Sequence, residues 1–182
     1  MKEGRLHETL HRLASRLDSE GIVYALLGGM ALGEHGYVRM TEDVDVLLSR
    51  EGLSRFRDRV VGRGYVATHP GAERAFRDSE SGVRIEILVS GDFPGDGRPK
   101  PVRFPDPDVG VAVGGLRVLS LARIVELKLA SGISAPHRLR DLADVQELIK
   151  ARELDEAFAA QLDPSVRAKY LELWHAARSF GA

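Results

Sequence analysis

The residues best placed to do chemistry are the two aspartates of Glu42-Asp43-Val44-Asp45-Val46. Residues two apart on a β-strand project to the same side, so their carboxylates can share one site. Like charges held that close need a counter-ion, and hard divalent cations such as magnesium take oxygen ligands of this kind. Two such ions about 4 Å apart activate an attacking oxygen and stabilise a leaving one in phosphoryl chemistry. A solvated strand end, where acids flank a turn, uses the same pair, and both readings stand on spacing alone. Upstream lies Leu27-Gly28-Gly29. Glycines let a phosphate approach the backbone closely, and free amides at a helix start favour an anion, although a plain tight turn has the same residues.

Other patterns carry less. His7-Glu8-Thr9-Leu10-His11 matches the His-Glu-x-x-His zinc-protease motif, whose imidazoles share one helix face. The extended motif needs Gly and His where Ala14 and Leu17 stand, and the leucines of this segment are needed for a core, so His7 and His11 read as surface positions. Asp106-Pro107-Asp108 is a second acid pair, but its proline marks a turn. The chain has no cysteine, which excludes disulfides, thiolate metal sites and a thiol nucleophile, and favours an intracellular setting.

The elements that must position these residues follow from periodicity. Leu6, Leu10, Leu13 and Leu17 recur at helical spacing up to Gly21. Ile22 to Leu27 reads as a buried strand stopped by Gly28-Gly29, and Met30 to His35 as a short helix. Val44 to Leu48 is a second strand with Asp43 and Asp45 at its start, followed by a helix over Glu51 to Val61. A hairpin is expected between Arg74 to Arg77 and Val83 to Val89, with Glu86 mid-strand; after a Gly- and Pro-rich loop from Gly91 to Pro107, Val109 to Val113 and Leu116 to Leu119 suggest the last strands. From Ser120 the pattern turns helical, over Leu121 to Ala130, Leu139 to Ala151, Leu154 to Leu162 and Ser165 to Phe180, with a break at Gly-Ile-Ser-Ala-Pro. The expectation is an α+β fold: an α/β head over residues 1–119 and a helical subdomain over 120–182.

At 182 residues the chain suits one domain, or one plus a small subdomain. Its apolar stretches fall short of the ~20 residues that cross a bilayer, and the N-terminus lacks a signal-peptide apolar block, so a cytoplasmic protein is expected. Twenty-six Lys and Arg against 27 Asp and Glu give a net charge of -1, which provides no global field toward nucleic acid or membranes. Arg55, Arg57, Arg59 and Arg63 cluster locally, and a solvated helix face accounts for them better than an RNA footprint.

Leu27-Gly28-Gly29, a spacer, then Asp43-Val44-Asp45-Val46 together resemble the signature of the DNA polymerase β-like nucleotidyltransferases. The resemblance implies a mixed nucleotidyltransferase-type sheet flanked by helices, and a third carboxylate on a later strand, for which Glu86 stands in place of the commoner Asp. It implies a mechanism in which a nucleoside triphosphate lies over Gly28 and Gly29, Asp43 and Asp45 hold two magnesium ions, and Glu86 ligates one. Pyrophosphate leaves as an acceptor hydroxyl on an RNA, a protein or a small molecule attacks. Gly-Gly-x-Ala, Arg39-x-Thr41-x-Asp43-Val44-Asp45, Leu127-Lys128-Leu129 and Arg140-Asp141-Leu142-Ala143-Asp144 look closer still to small bacterial nucleotidyltransferases related to abortive-infection toxins, which implies an antitoxin protein as partner. By that resemblance Arg39 and Thr41 support the metal strand or phosphates, Lys128 and Arg140 contact the nucleotide or its cleft, and Asp141 and Asp144 line or brace it. Lys128 could equally snorkel from its helix, and Arg140 with Asp144 is a good i,i+4 pair. The same fold with weak chemistry, binding nucleotide or a partner, is the alternative.

Overall fold

The computed structural model describes residues 2–179, which form two compact units. The first contains the described residues up to Glu34 together with Val38–Ser90 and Pro105–Leu119. The second takes His35–Tyr37, Gly91–Phe104 and the described residues from Ser120 onward.

In the first unit, Leu6, Leu10, Leu13 and Leu17 form the buried stripe of α1 (Lys2–Ser19). There follow β1 (Tyr24–Leu27), α2 (Gly28–Glu34), β2 (Asp43–Leu48) and α3 (Arg50–Arg59). Ser49 caps α3, its hydroxyl accepting from the Gly52 amide at 2.9 Å. Next come β3 (Tyr65–Ala67), β4 (Ala75–Asp78), β5 (Arg84–Val89), β6 (Val111–Val113) and β7 (Leu116–Val118). The strands make one seven-stranded mixed sheet in the order β3-β4-β5-β2-β1-β7-β6. β2 lies at its centre, parallel to β5 and antiparallel to β1. Along β2 and β5 the residues Val44, Val46, Ile85, Ile87 and Val89 are buried, the apolar side of a period-two alternation. Asp78 closes the β4–β5 turn by accepting from the Glu80 and Ser81 amides, both at 2.8 Å, and ties in α1 through Arg12 at 3.0 Å.

The second unit packs α4 (Leu121–Ser134), α5 (Leu139–Ala151) and α6 (Pro164–Ser179). Its interior holds charge as well as hydrocarbon. The Lys128 ammonium donates to Asp141 at 2.9 Å and Asp144 at 2.7 Å, all three residues buried, and Ser131 and Arg138 also donate to Asp141. Tyr170 is fully buried with its hydroxyl on the Asp155 carbonyl at 2.8 Å, and burial pushes the phenol up to about 12.

Besides shifts of one or two residues at element ends, as at Val109, which lies in a 3-10 turn ahead of β6, the structure departs from the sequence-based expectation at three places. Tyr65–Ala67, not expected as a strand, pairs with β4 at the sheet edge. The α4 helix runs through Gly132 to Ser134; a side chain at Gly132 would meet Leu142 Cγ at 2.5 Å, so the glycine admits α5 at close range and does not end the helix. The expected helix over Leu154 to Leu162 is a 3-10 stretch, Glu156–Gln161, capped by Asp155 accepting from the Phe158 amide. Phe180, expected in the last helix, lies outside the described residues. Among the described residues no helix is long and apolar enough to cross a membrane.

Burial opposes the charge of Asp141, but Lys128, Ser131 and Arg138 outweigh it and hold the carboxyl below the ordinary range. A depressed folded-state value contributes stability that is complete above the unfolded value of about 4 and is lost as pH falls through the lower folded one. Melting curves from pH 6 down to about pH 3 should therefore show an acid loss in the wild type that is shallower in Asp141→Asn. Lys128→Met, which strands two buried carboxylates, should cost about 3 kcal/mol in urea unfolding at neutral pH.

Candidate functional site

The N-terminal half of β2 brings Asp43 and Asp45 to one face, both half-buried, while Val44 and Val46 face the buried side. Backbone register then decides their neighbours. Across β1, Asp45 stands opposite Leu27, immediately before Gly28. Across β5, Asp43 stands opposite Arg84 and Asp45 opposite Glu86. One strand further, Arg84 stands opposite Arg77 and Glu86 opposite Ala75. Directly opposed residues share a face, so Asp43, Arg84 and Arg77 form one row and Asp45, Glu86 and Ala75 the next.

The two glycines are required by what lies over them. Gly28 has φ of +68°, a left-handed conformation, and a Cβ there would sit 1.8 Å from Asp45 Oδ2. A Cβ at Gly29 would lie 2.7 Å from the Thr41 Cβ and Oγ1. The room at the turn thus accommodates the Asp45 carboxylate and the Thr41 side chain. Thr41 also donates to the Asp43 carbonyl at 3.4 Å, and Arg39, half-buried on the segment leading into β2, donates to the Met40 carbonyl at 3.1 Å.

Glu86 is engaged. Its carboxylate accepts from Arg84 Nη2 at 2.7 Å, both side chains being partly exposed. That hydrogen bond, and then the fields of Glu86, Asp43 and Asp45, raise the Arg84 guanidinium above its ordinary value, so Arg84 is the counter-ion of this acidic face. Beside it opens a cleft of about 350 Å³ lined by Arg5, Thr41, Asp43, Arg77 and Arg84 among others.

The donor chemistry fits a hard divalent cation: Asp43 and Asp45 offer carboxylate oxygens on one face, and Glu86 stands in register with Asp45. Among the described residues, however, no three His, Cys, Asp or Glu side chains are gathered closely enough to hold an ion. Glu86 joins such a site only by exchanging Arg84 for the metal.

The first unit therefore brings Gly28, Gly29, Arg39, Thr41, Asp43, Asp45 and Glu86 to neighbouring segments. Lys128, Arg140, Asp141 and Asp144 belong to the second unit, where Lys128, Asp141 and Asp144 brace α4 against α5 and Arg140 is exposed. His7 and His11 are exposed on α1, and Asp106 accepts from the Ser90 hydroxyl ahead of a 3-10 turn over Pro107–Val109. Sequence reasoning missed Arg84, although it stands two residues before Glu86 in an alternating strand, the same spacing that singled out Asp43 and Asp45.

No family model matches the chain, and no curated protein matches it. Solved structures do. ANT(2'')-Ia in complex with adenylyl-2''-tobramycin is 12% identical with a TM-score of 0.55, the match covering 96% of this chain and 98% of that one. The solution structure of the antibiotic-resistance factor ANT(2'')-Ia is 13% identical, TM-score 0.58, covering 98% and 94%. An antigenic nucleotidyltransferase-like protein from Paracoccidioides brasiliensis is 17% identical, TM-score 0.52, covering 82% and 78%. What is shared at these identities is the fold, a nucleotidyltransferase-type mixed sheet flanked by helices.

Gly28→Ala should destabilise the protein by about 2 kcal/mol or more in thermal or urea unfolding, since it combines left-handed strain with a collision against Asp45. The same substitution at Gly97, which also has a positive φ but open space around it, should cost clearly less.

Proposed function

We propose that this protein is a metal-dependent nucleotidyltransferase, moving a nucleoside monophosphate from a nucleoside triphosphate to an acceptor hydroxyl. One observation carries the reading. In a fold shared with nucleotidyltransferases, the central strand presents Asp43 and Asp45 on one face, with Gly28 against Asp45 on one flank and Glu86 in register with it on the other.

Asp43 and Asp45, joined by Glu86, would hold magnesium, which supplies charge neutralisation at the attacking and leaving oxygens. Gly28 and Gly29 make room for the Asp45 carboxylate and the Thr41 side chain on the flank assigned to the triphosphate. Thr41 and Arg39 steady the entry to β2. Glu86, released from Arg84, lies beside the acceptor hydroxyl and takes its proton. The acceptor oxygen then bonds to the α-phosphorus in line as the bond to the β-phosphate oxygen breaks, and pyrophosphate departs. By the same resemblance Lys128 and Arg140 of the second unit are proposed as nucleotide contacts, with Lys128 held by Asp141 and Asp144 and Arg140 exposed.

The Arg39-x-Thr41-x-Asp43-Val44-Asp45 core extends the proposal to a toxin-type enzyme, with an RNA, a protein or a small molecule as acceptor and an antitoxin protein as partner. A specific observation favours a second reading. Because Arg84 occupies Glu86, the domain could bind nucleotide through Asp43 and Asp45 while catalysing weakly.

Isothermal titration with each of the four nucleoside triphosphates plus magnesium tests both. Magnesium-dependent binding of at least one is expected, falling about tenfold or more in Asp43→Ala/Asp45→Ala of unchanged melting behaviour. Glu86→Gln should keep binding and lose about a hundredfold in transfer of labelled nucleotide. Binding without transfer by the wild type gives the second reading; no binding overturns both.

A further inference from the structure

We infer that the arginines beside the carboxylates form a subsite for phosphate groups of the acceptor, so that the acceptor is an anion; this rests on the nucleotidyl-transfer reading above. Arg77 and Arg84 are directly opposed on antiparallel strands β4 and β5, and like charges in that position destabilise a sheet. The arrangement is nevertheless built, and Arg5 of α1 lines the same cleft. Arg5, Arg77 and Arg84, from three separate elements, thus line one cleft together with Glu42 and Asp43, and an anion bound there would offset the opposition of Arg77 to Arg84.

The side chains are set for this. Arg77 donates to the Gly82 carbonyl at 2.7 Å, which anchors it in the turn, and Arg84, bonded to Glu86 in this structure, gives up that partner when Glu86 turns to the acceptor hydroxyl. A guanidinium has more donors than one such contact uses, in a planar fork that matches two phosphate oxygens. Location separates acceptor from nucleotide. Crossing the sheet from β1 through β2 and β5 to β4, one meets Gly28, then Asp43 and Asp45, then Arg84 and Glu86, then Arg77. With the triphosphate on the Gly28 flank, the arginines stand on the other side of the carboxylates, beside the acceptor hydroxyl at Glu86. The net charge of -1 makes the attraction local, a property of the cleft alone.

Phosphate could arrive as the phosphodiester of a single-stranded nucleic acid or as the phosphoryl group of a small acceptor. The test uses the full chain and Arg5→Gln/Arg77→Gln, two residues outside the proposed metal set, with Arg5→Gln alone on the exposed face of α1 as a variant whose folding is not at stake. Three dissociation constants are measured: MgATP by calorimetry, a short labelled single-stranded RNA by anisotropy, and inorganic phosphate by competition or calorimetry. The expected result is RNA binding weakened about tenfold in the double variant and part-way in Arg5→Gln, with the MgATP constant unchanged. Phosphate binding that weakens in the same order without RNA binding supports the inference with a small phosphorylated acceptor. It is overturned if the variants bind both probes as the wild type does, if a wild type that binds MgATP binds neither probe, or if MgATP affinity falls with the others, which puts the arginines on the nucleotide side. A wild type that does not bind MgATP overturns the nucleotidyl-transfer reading, and this inference with it.

Discussion

Asp43 and Asp45 place two negative charges on the central strand of a seven-stranded sheet, in register with a strand that carries a third, and such charges repel strongly where water is partly excluded. The surrounding structure answers that repulsion. The acidic face is only half-buried, so water still screens it. Arg84 stands on the same face, bonded to Glu86 and within the field of both aspartates. Gly28 gives the Asp45 carboxylate a place against bare backbone. The opposite side of the same strands is apolar and buried, which keeps β2 and β5 in register however the charged side is occupied.

The second unit solves a related problem differently. There the carboxylates of Asp141 and Asp144 are truly buried, and a lysine on the neighbouring helix neutralises them with short, direct hydrogen bonds. Such a cluster is costly to break because each charge has lost its water. On the sheet, Arg84 and Glu86 remain partly exposed, and the exchange of one cation for another there is correspondingly cheap. One arrangement holds helices together; the other is open to replacement.

Much of the fold was legible because it follows from short-range periodicity. The leucines of α1, the run from Val44 to Leu48 and the hairpin around Ser79 to Gly82 each carry their pattern within a few residues. What escaped depends on distant partners. Tyr65-Val66-Ala67 is too short to show a period and becomes a strand only because β4 is there to pair with it. Gly132 looks like a stop signal, whereas its lack of a side chain serves Leu142 on another helix. Leu154, Phe158 and Leu162 have α-helical spacing, but Asp155 caps a tighter 3-10 stretch between them. At the candidate site, the shared face of Asp43 and Asp45 could be read from their spacing. The opposition of Arg84 to Asp43 and of Arg77 to Arg84 could not, because register between strands far apart in the chain is a tertiary property.

The sheet begins and ends on β3 and β6, strands of three residues each. A strand at a sheet border displays unpaired amide and carbonyl groups that can recruit another polypeptide, and the hazard grows with the length of the border. Here each border offers about one repeat of the ladder before the chain turns away. A wide sheet is thereby finished at both sides without a barrel closure, and growth of β-structure from one molecule to the next is discouraged by the brevity of its margins.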